Sequence, residues 1–351
     1  MQLIKTPTKG MNDYLPRETR LREYVKGVII RAYEKNGFSM IETPAVEHIE
    51  NLTGKNGGDN EKLIFKIMKR GEKLNEAAGN DAELCDSGLR YDLTVPLSRY
   101  YANNQAKLPS PFMAMQIGNV WRADRPQKGR FRQFTQCDID ILGDSTQLAE
   151  ITLISATTGV LRELGFDNFT VRINDRRLLK VCADYCGFKP EDCDKVFITL
   201  DKMDKIGLDG VKRELVEEDF DEASVEKYVA LYENCDAVSV SEFAADRLGG
   251  NGADIAASLE SIMRCATAAT AGGCSLKFDP TLVRGMSYYT GTIFEISMDG
   301  YGYSVGGGGR YDEMLAKFSG QKTPACGFSL GFERIVAALA DRGLGPPAAA
   351  G

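Results

Sequence analysis

The sequence contains very little histidine: His48 is the single histidine among 351 residues. Histidine is the usual base of a nucleophilic triad and a common ligand of catalytic zinc, so most hydrolase mechanisms are excluded. The three neighbouring cysteines, Cys182, Cys186 and Cys193, lack the spacing of a zinc site. We therefore expect no metal held by the protein's own side chains, and any catalysis must use other groups.

Long hydrophobic runs are also absent. No segment approaches the ~20 apolar residues of a membrane-spanning helix, and the N-terminal MQLIKTPTKG lacks the apolar core of a signal peptide. The nine cysteines, an odd number, are expected to be reduced thiols. The sequence predicts a cytoplasmic protein that binds no membrane, and its net charge of −7 argues against non-specific coating of nucleic acid.

The length of the chain and its 43% hydrophobic content suit one large domain and a smaller one. Residues 175–273 are rich in acidic and helix-forming residues, which indicates a separate helical insertion. The predicted organisation is a core of residues 1–174 and 274–340, the insertion at 175–273, and a tail at 341–351. The tail ends in GPPAAAG, a composition typical of disorder.

Hydrophobic periodicity predicts several elements. Apolar residues recur at three- and four-residue steps from Pro16 to Gly37, as in an amphipathic helix. The alternation from Leu89 to Val95 predicts a strand with one polar face, followed by a helix that begins at Pro96. A helix from about Thr146 to Leu164 then leads into a strand from Phe169 to Ile173.

Residues Phe112 to Gly143 predict a long antiparallel hairpin with the basic connecting loop RADRPQKGR. Period-two alternation on its second strand places one polar set on the same side: Arg130, Arg132, Phe134, Gln136, Asp138 and Asp140. Such a face fits a cleft or a solvated edge strand, in which charges discourage aggregation. Nearer the C-terminus the order is strand, turn, helix, strand, helix, with the glycine run Gly306 to Gly309 as the turn.

The hairpin sequence VWRADRPQKGRFRQFTQCDIDILG closely resembles motif 2 of class II aminoacyl-tRNA synthetases in their histidyl branch. Further segments resemble the same family in the same order: IETPAVEH (motif 1), LRYDLTVPL, LVRGMSYYTGTIFE, GGGGRYDEML and GFSLGFERIV (motif 3). The resemblance implies an α+β fold, with an antiparallel sheet flanked by helices and a helical insertion near the acceptor stem of the tRNA. It also implies a homodimer formed through motif 1.

The resemblance implies activation of histidine with ATP, followed by transfer of histidine to tRNA(His). The histidine carboxylate attacks the α-phosphorus of ATP, and fixed cations stabilise the negative charge that develops. By resemblance, Arg122 and Arg284 are the catalytic residues and hold the α-phosphate. Arg130 and Arg334 bind the outer phosphates, and Phe134 stacks on adenine. Magnesium is expected to accompany ATP by bridging its phosphates.

The histidine-binding residues implied by the resemblance fall into groups. Asp92, Thr94 and Gln136 match the residues that hold the α-amino and carboxylate groups. Asp140 and Tyr289 match the pair that binds the imidazole, whose two nitrogens need two buried polar partners. The glycine run lines the same pocket, together with Arg284, Tyr288 and Tyr311.

Two features depart from the family pattern. Ser287 stands where the family commonly has aspartate, which bears on the orientation of Arg284. The chain ends 17 residues after Arg334, so we expect the C-terminal anticodon-binding domain to be absent. An alternative is the regulatory subunit of ATP phosphoribosyltransferase, which resembles the same catalytic domain, lacks the anticodon domain and binds histidine without activating it. The intact motif 2 loop, Arg284 and the DKMDK segment favour the synthetase.

Overall fold

The computed structural model describes residues 3–53, 59–80, 83–126, 130–235, 238–284 and 289–343. The chain divides into two compact units, one of Met1–Ile139 with Ser329–Gly351 and one of Asp140–Phe328. The helices are α1 Pro16–Lys35, α2 Ile49–Leu52, α3 Glu72–Glu76, α4 Thr94–Asn104, α5 Leu148–Glu163, α6 Arg176–Cys186, α7 Cys193–Leu200, α8 Met203–Glu217, α9 Glu222–Tyr232, α10 Val240–Glu242, α11 Ala253–Ala269, α12 Ala316–Ser319 and α13 Phe332–Asp341. The strands are β1 Ser39–Met40, β2 Val46–His48, β3 Lys66–Met68, β4 Cys85–Leu89, β5 Phe112–Trp121, β6 Gln133–Leu142, β7 Phe169–Asp175, β8 Ser275–Phe278, β9 Thr292–Met298, β10 Ser304–Arg310 and β11 Ala325–Gly331.

Helix α1 begins and ends where its sequence predicts. Pro16 lies in the first turn, where backbone N–H groups have no partner within the helix, so its missing N–H costs no helical hydrogen bond. The Glu18 carboxylate accepts a hydrogen bond from the Leu15 amide. The face that packs on the core repeats at three- and four-residue steps: Val25, Val28, Ile29, Ala32 and Tyr33. Gly37 follows the helix with a φ of +90°, the left-handed conformation that favours glycine. The predicted helix is confirmed.

In the first unit the strand order is β1-β5-β6-β11, with β1 parallel to β5. A separate antiparallel sheet has the order β2-β4-β3. Strands β5 and β6 follow each other along the chain and lie side by side, which confirms the predicted pair of strands. Strand β6 begins at Gln133, so Arg130 and Arg132 of the predicted polar face precede the strand.

The predicted strand from Leu89 to Val95 is wrong. Strand β4 ends at Leu89, and α4 begins at Thr94, two residues before the predicted start at Pro96. Arg90 explains the difference, since it is only 8% exposed and donates to two backbone carbonyl oxygens at 2.7 and 2.8 Å. A buried guanidinium requires such partners. The backbone therefore leaves the strand at Arg90, which lies inside the unit instead of on a polar face.

In the second unit the strand order is β11-β10-β9-β7-β8, with β7 antiparallel to β9 and parallel to β8. The observed α5 and β7 confirm the helix and strand predicted for this part of the chain. The described chain between β7 and β8 is helical, from α6 to α11, as predicted for residues 175–273. The boundaries of a separate insertion domain stay a prediction.

The glycine run Gly306 to Gly309 lies inside β10, so the predicted turn is wrong. Glycine is needed there because neighbouring groups approach the strand closely: a Cβ on Gly308 would lie 2.0 Å from the carbonyl oxygen of Gly327. The helix predicted for RYDEMLAKF is also shorter than expected, since only α12, Ala316–Ser319, is helical.

All nine cysteines are free thiols, as expected, and Cys182 and Cys186 lie one turn apart on α6, where both are buried. Within the described ranges, no helix is both long and apolar enough to cross a membrane. Residues 344–351 of the predicted tail lie outside the described residues.

Candidate functional site

Arg122, directly after β5, lies over two aromatic rings of the first unit. Its Nε donates to the carbonyl oxygen of Tyr91 at 3.1 Å. Its Cζ lies 4.2 Å from the ring centroid of Tyr91 and 5.1 Å from that of Phe134, distances at which a ring face attracts a cation. The structure thus brings together two residues of the predicted ATP site, Arg122 and Phe134. A guanidinium oriented in this way can bind an anion with its remaining N–H groups.

Arg130, in the loop between β5 and β6, forms a two-pronged ion pair with Asp124. Its Nε and Nη2 each lie 3.0 Å from a carboxylate oxygen of Asp124. The Arg132 Nε donates to the backbone oxygen of Asp124 at 3.0 Å, so two arginines hold this part of the loop. The Arg130 side chain remains 54% exposed, whereas that of Asp124 is 12% exposed. A phosphate could therefore reach Arg130 but would compete with Asp124 for it.

Asp92 lies just before α4 and accepts the amide of Val95 at 3.0 Å. Burial raises the pKa of the Asp92 carboxyl, while the Val95 amide, the charge of Arg122 and the Thr94 amide oppose the increase. The residue is thus electrostatically linked to Arg122. Thr94 is half-buried at the start of α4, and its carbonyl oxygen accepts the hydroxyl of Ser98 at 2.8 Å.

Gln136, in β6, has one amide atom paired and one that is not. Its Nε2 lies 3.3 Å from the hydroxyl of Ser329 in β11. Its Oε1 is buried and has no hydrogen-bond partner among the residues that the structure describes. A buried acceptor without a donor is unfavourable unless a ligand supplies one. This atom therefore suits the N–H groups of a bound ammonium or amide.

In the second unit, Asp140 of β6 and Tyr311 form a buried pair. The Tyr311 hydroxyl donates to Oδ1 of Asp140 at 2.5 Å, and the two residues are 5% and 2% exposed. The pair occupies space that glycine leaves open, because a Cβ on Gly327 would lie 2.0 Å from the same Oδ1. Asp140 and Tyr311 were both predicted from the sequence, but Gly327 was not. Tyr289 is half-buried, so its predicted pairing with Asp140 stays a prediction, and Tyr288 lies outside the described residues.

Arg284, also in the second unit, forms an ion pair with Glu295 of β9. The Arg284 side chain is 28% exposed, and that of Glu295 is 19% exposed. Arg172 of β7 contacts the same carboxylate, with its Nη1 3.5 Å from Oε1. The sequence predicted Arg284 but neither Glu295 nor Arg172. Ser287, where the sequence departs from the family pattern, lies outside the described residues.

Arg334 is half-buried in the first turn of α13. The residue before it, Glu333, belongs to a buried ion pair that was not predicted from the sequence. Arg22 of α1 forms this pair with Glu333, with Nη2 2.8 Å from Oε1. The Arg22 guanidinium also lies over the rings of Tyr14, at 3.9 Å, and Phe332, at 4.8 Å. A sequence signal existed, because Arg22 is three residues before Val25 on the apolar face of the predicted helix.

The described residues contain no cluster of three or more histidine, cysteine or carboxylate side chains that could hold a metal ion. Guanidinium groups such as those of Arg122 and Arg130 suit recognition of phosphate.

The known proteins that are similar to this chain include histidyl-tRNA synthetases. The family model described as histidyl-tRNA synthetase matches residues 10–335. A histidine–tRNA ligase of Leifsonia xyli is 49% identical over 342 residues, which cover 94% of this chain and 79% of the relative. The solved histidyl-tRNA synthetase from Nostoc sp. PCC 7120 has a TM-score of 0.81 at 27% identity, over 97% of this chain and 77% of that chain.

One further structure bears on the alternative considered from the sequence. A protein from Bacillus halodurans C, described as an ATP phosphoribosyltransferase regulatory subunit/histidyl-tRNA synthetase, has a TM-score of 0.78 at 23% identity. The match covers 97% of this chain and 84% of that chain, and it shows a likeness of fold alone. The expected fold class, a mostly antiparallel sheet flanked by helices, is confirmed by the Nostoc structure. The family model and the sequence identity with the Leifsonia relative show that this chain belongs to the histidyl-tRNA synthetase family.

Proposed function

We propose that this chain activates histidine with ATP to form histidyl-adenylate and pyrophosphate, and then transfers histidine to tRNA(His). Its 49% identity with a histidine–tRNA ligase supports this reaction. The observation that carries the proposal is the fixed guanidinium of Arg122, held by the Tyr91 carbonyl and two aromatic rings. Such a cation suits a phosphoryl centre, whose negative charge grows during the reaction.

The proposed first step is a displacement at the α-phosphorus. A carboxylate oxygen of histidine forms the new bond to phosphorus, and the bond from phosphorus to the bridging oxygen breaks, so that pyrophosphate leaves with its electron pair. No side-chain base is needed, because the attacking carboxylate is already deprotonated at neutral pH. Arg122 and Arg284 are assigned to the α-phosphate, since a planar guanidinium stays charged and binds phosphate oxygens in pairs.

The remaining ATP contacts are assigned to three residues. Phe134 stacks on adenine, and Arg130 and Arg334 bind the outer phosphates. The 54% exposure of Arg130 and its loop position support this role. We propose that ATP arrives as its magnesium complex, so that magnesium belongs to the substrate.

Histidine recognition is assigned to two sets of residues. Asp92, Thr94 and Gln136 hold the α-amino and carboxylate end, and the unpaired Oε1 of Gln136 supports this role. The Asp140 carboxylate and Tyr289 bind the imidazole, whose two nitrogens need two polar partners. Tyr311 belongs to the wall of this pocket, and its hydroxyl donates to Asp140 and so orients that carboxylate. Arg284 and Tyr288 complete the assigned histidine-binding set.

Three further properties complete the proposal. The tRNA acceptor stem binds the catalytic part of the chain, two chains form a homodimer through motif 1, and the protein acts in the cytoplasm. Family membership supports the tRNA substrate. The dimer and the location rest on the resemblance to this family.

The test is ATP–pyrophosphate exchange by the purified protein with magnesium, with and without histidine and with other amino acids as controls. We expect exchange that depends on histidine. Arg122→Ala should lower its kcat by roughly 10²–10³-fold, as for a lost transition-state donor. Histidine binding without exchange by the unaltered chain would refute the proposal and favour the regulatory-subunit alternative. Charging of tRNA(His) with labelled histidine tests the second step.

A further inference from the structure

Glu295 lies at the centre of a row of residues that runs across three strands of the second unit. It pairs with Arg172 of β7 on one side and with Gly307 of β10 on the other, in the registers of the two antiparallel strand pairs. Residues that pair in this way project from the same face of a sheet. One face therefore presents an arginine, a glutamate and a position without a side chain, in that order.

The Glu295 carboxylate is shared between two guanidinium groups. One oxygen forms the ion pair with Nη1 of Arg284, and the other lies 3.5 Å from Nη1 of Arg172. Arg172 is itself anchored, because its Nε donates to the carboxylate of Asp279. Asp279 in turn accepts the amide and the hydroxyl of Thr281 at 3.0 and 2.7 Å. The contacts with these two arginines therefore fix the orientation of the Glu295 carboxylate.

Gly307 leaves the space that the Arg284 guanidinium occupies. A Cβ at Gly307 would lie 2.4 Å from both Cζ and Nη1 of Arg284. The guanidinium therefore lies over the glycine of the row and is bound to the glutamate beside it. Asp201 is electrostatically coupled to both groups: burial raises the pKa of its carboxyl, the charge of Arg284 opposes this increase, and the charge of Glu295 adds to it.

We infer that Glu295 is the positioning residue for Arg284 and that it fixes the guanidinium over Gly307 in the orientation that binds the α-phosphate. The contact with Glu295 uses one nitrogen of a fork that has five N–H donors, so the same guanidinium can also bind phosphate oxygens. The catalytic part of this inference rests on the proposed function. The placement of Arg284 by Glu295 does not.

The kinetic test compares Glu295→Ala, Arg284→Ala and the double variant in histidine-dependent pyrophosphate exchange. Misplacing a reacting group by about 1 Å can cost on the order of 10²-fold in rate, so Glu295→Ala should lower kcat by about this factor. The KM for ATP and histidine should change much less. The double variant should be no slower than Arg284→Ala, because Glu295 acts through Arg284. Losses that multiply, or a Glu295→Ala rate equal to that of the unaltered chain, would overturn the inference.

Two further variants separate positioning from stability. Gly307→Ala adds a methyl group where the guanidinium lies and should lower kcat while leaving Glu295 in place. Glu226→Ala breaks an ion pair with Lys212 on the surface of the same unit and is the matched control, with unchanged exchange. Glu295→Asp keeps the charge and should recover part of the activity lost in Glu295→Ala. A fall in kcat for the Glu226 variant similar to that of Glu295→Ala would show that any lost ion pair has this effect, and would overturn the inference.

A structure of the Glu295→Ala protein decides the placement without measuring activity. We expect the Arg284 guanidinium to leave its position over Gly307, with the surrounding strands unchanged. Persistence of Arg284 in its place would refute the positioning role. If the unaltered chain shows no histidine-dependent exchange, the proposed function fails, and this structure still decides whether Glu295 positions Arg284.

Discussion

Replacing Arg22 by methionine should destabilise the first unit by about 3 kcal/mol. Arg22 is 9% exposed and forms the ion pair with Glu333. Removing one partner of a buried ion pair leaves the other charge uncompensated, which typically costs about 3–5 kcal/mol. The lower end applies because both side chains retain 11% exposure and methionine preserves apolar contact with the ring of Phe332. Burial lowers the pKa of Arg22, but the hydrogen bond and charge of Glu333 outweigh it, so the pKa is raised and the arginine stays charged.

The assay is urea unfolding followed by tryptophan fluorescence. Trp121 is the single tryptophan of the chain and lies in β5 of the same unit, where its indole N–H donates to Gln133 at 3.1 Å. With an m-value of about 2 kcal/mol/M, a loss of about 3 kcal/mol moves the midpoint down by roughly 1.5 M urea. The matched control is Lys26→Ala on the same helix, whose ion pair with Glu23 has side chains 31% and 62% exposed. That change should cost no more than about 0.5 kcal/mol.

A midpoint shift for Arg22→Met no larger than that of Lys26→Ala would refute this reasoning. The double variant Arg22→Met with Glu333→Leu should be more stable than Arg22→Met alone, because no buried charge is then left without a partner. Recovery should be incomplete, since the Thr135 amide donates to Glu333 at 3.1 Å and would lose its acceptor.

Two substitutions and one labelling experiment test the substrate assignments and the packing. Gly327→Ala should displace the Asp140 carboxylate and raise the KM for histidine by roughly 10-fold or more, with the KM for ATP unchanged. Asp92→Asn should weaken histidine binding, measured by Trp121 fluorescence. Burial raises the pKa of Asp92, so histidine binding by the unaltered chain should weaken as the pH falls through this raised pKa, which lies above the ordinary range of an aspartate. Binding by the Asp92→Asn variant should not show this dependence on pH. At pH 8 a maleimide should label the exposed Cys265 first, since burial raises the pKa of Cys182 to about 12 and leaves a thiolate fraction of about 10⁻⁴.

The sequence predicted the elements that carry strong periodicity or a long motif. Helix α1 has a clear apolar face, a proline at its start and a glycine after its end. Strands β5 and β6 were found because alternation and the motif 2 pattern agree over the same residues. Residues named from that motif, such as Arg122 and Phe134, are in contact in the structure. Local pattern and tertiary packing favour the same conformation in these segments.

The sequence failed where a tertiary contact determines the local conformation. Arg90 looks like one position in an alternating strand, yet its burial against backbone carbonyl groups turns the chain away. The glycine run looks like a turn, yet it is a strand that neighbouring groups approach closely. The partners of the predicted arginines, Asp124 and Glu295, had no local signal, because each depends on how the chain folds back on itself.

Arg122, Arg130 and Arg284 differ in the charge of the groups that they contact. The hydrogen bond and ring contacts of Arg122 are all with neutral groups, whereas Arg130 and Arg284 each form an ion pair with a carboxylate. A carboxylate partner fixes orientation but reduces the positive potential offered to a phosphate. The neutral groups that hold Arg122 fix its orientation without themselves reducing that potential. This difference supports the proposed roles of Arg122 at the α-phosphate, where negative charge grows most, and of Arg130 at the outer phosphates, which carry their charge throughout.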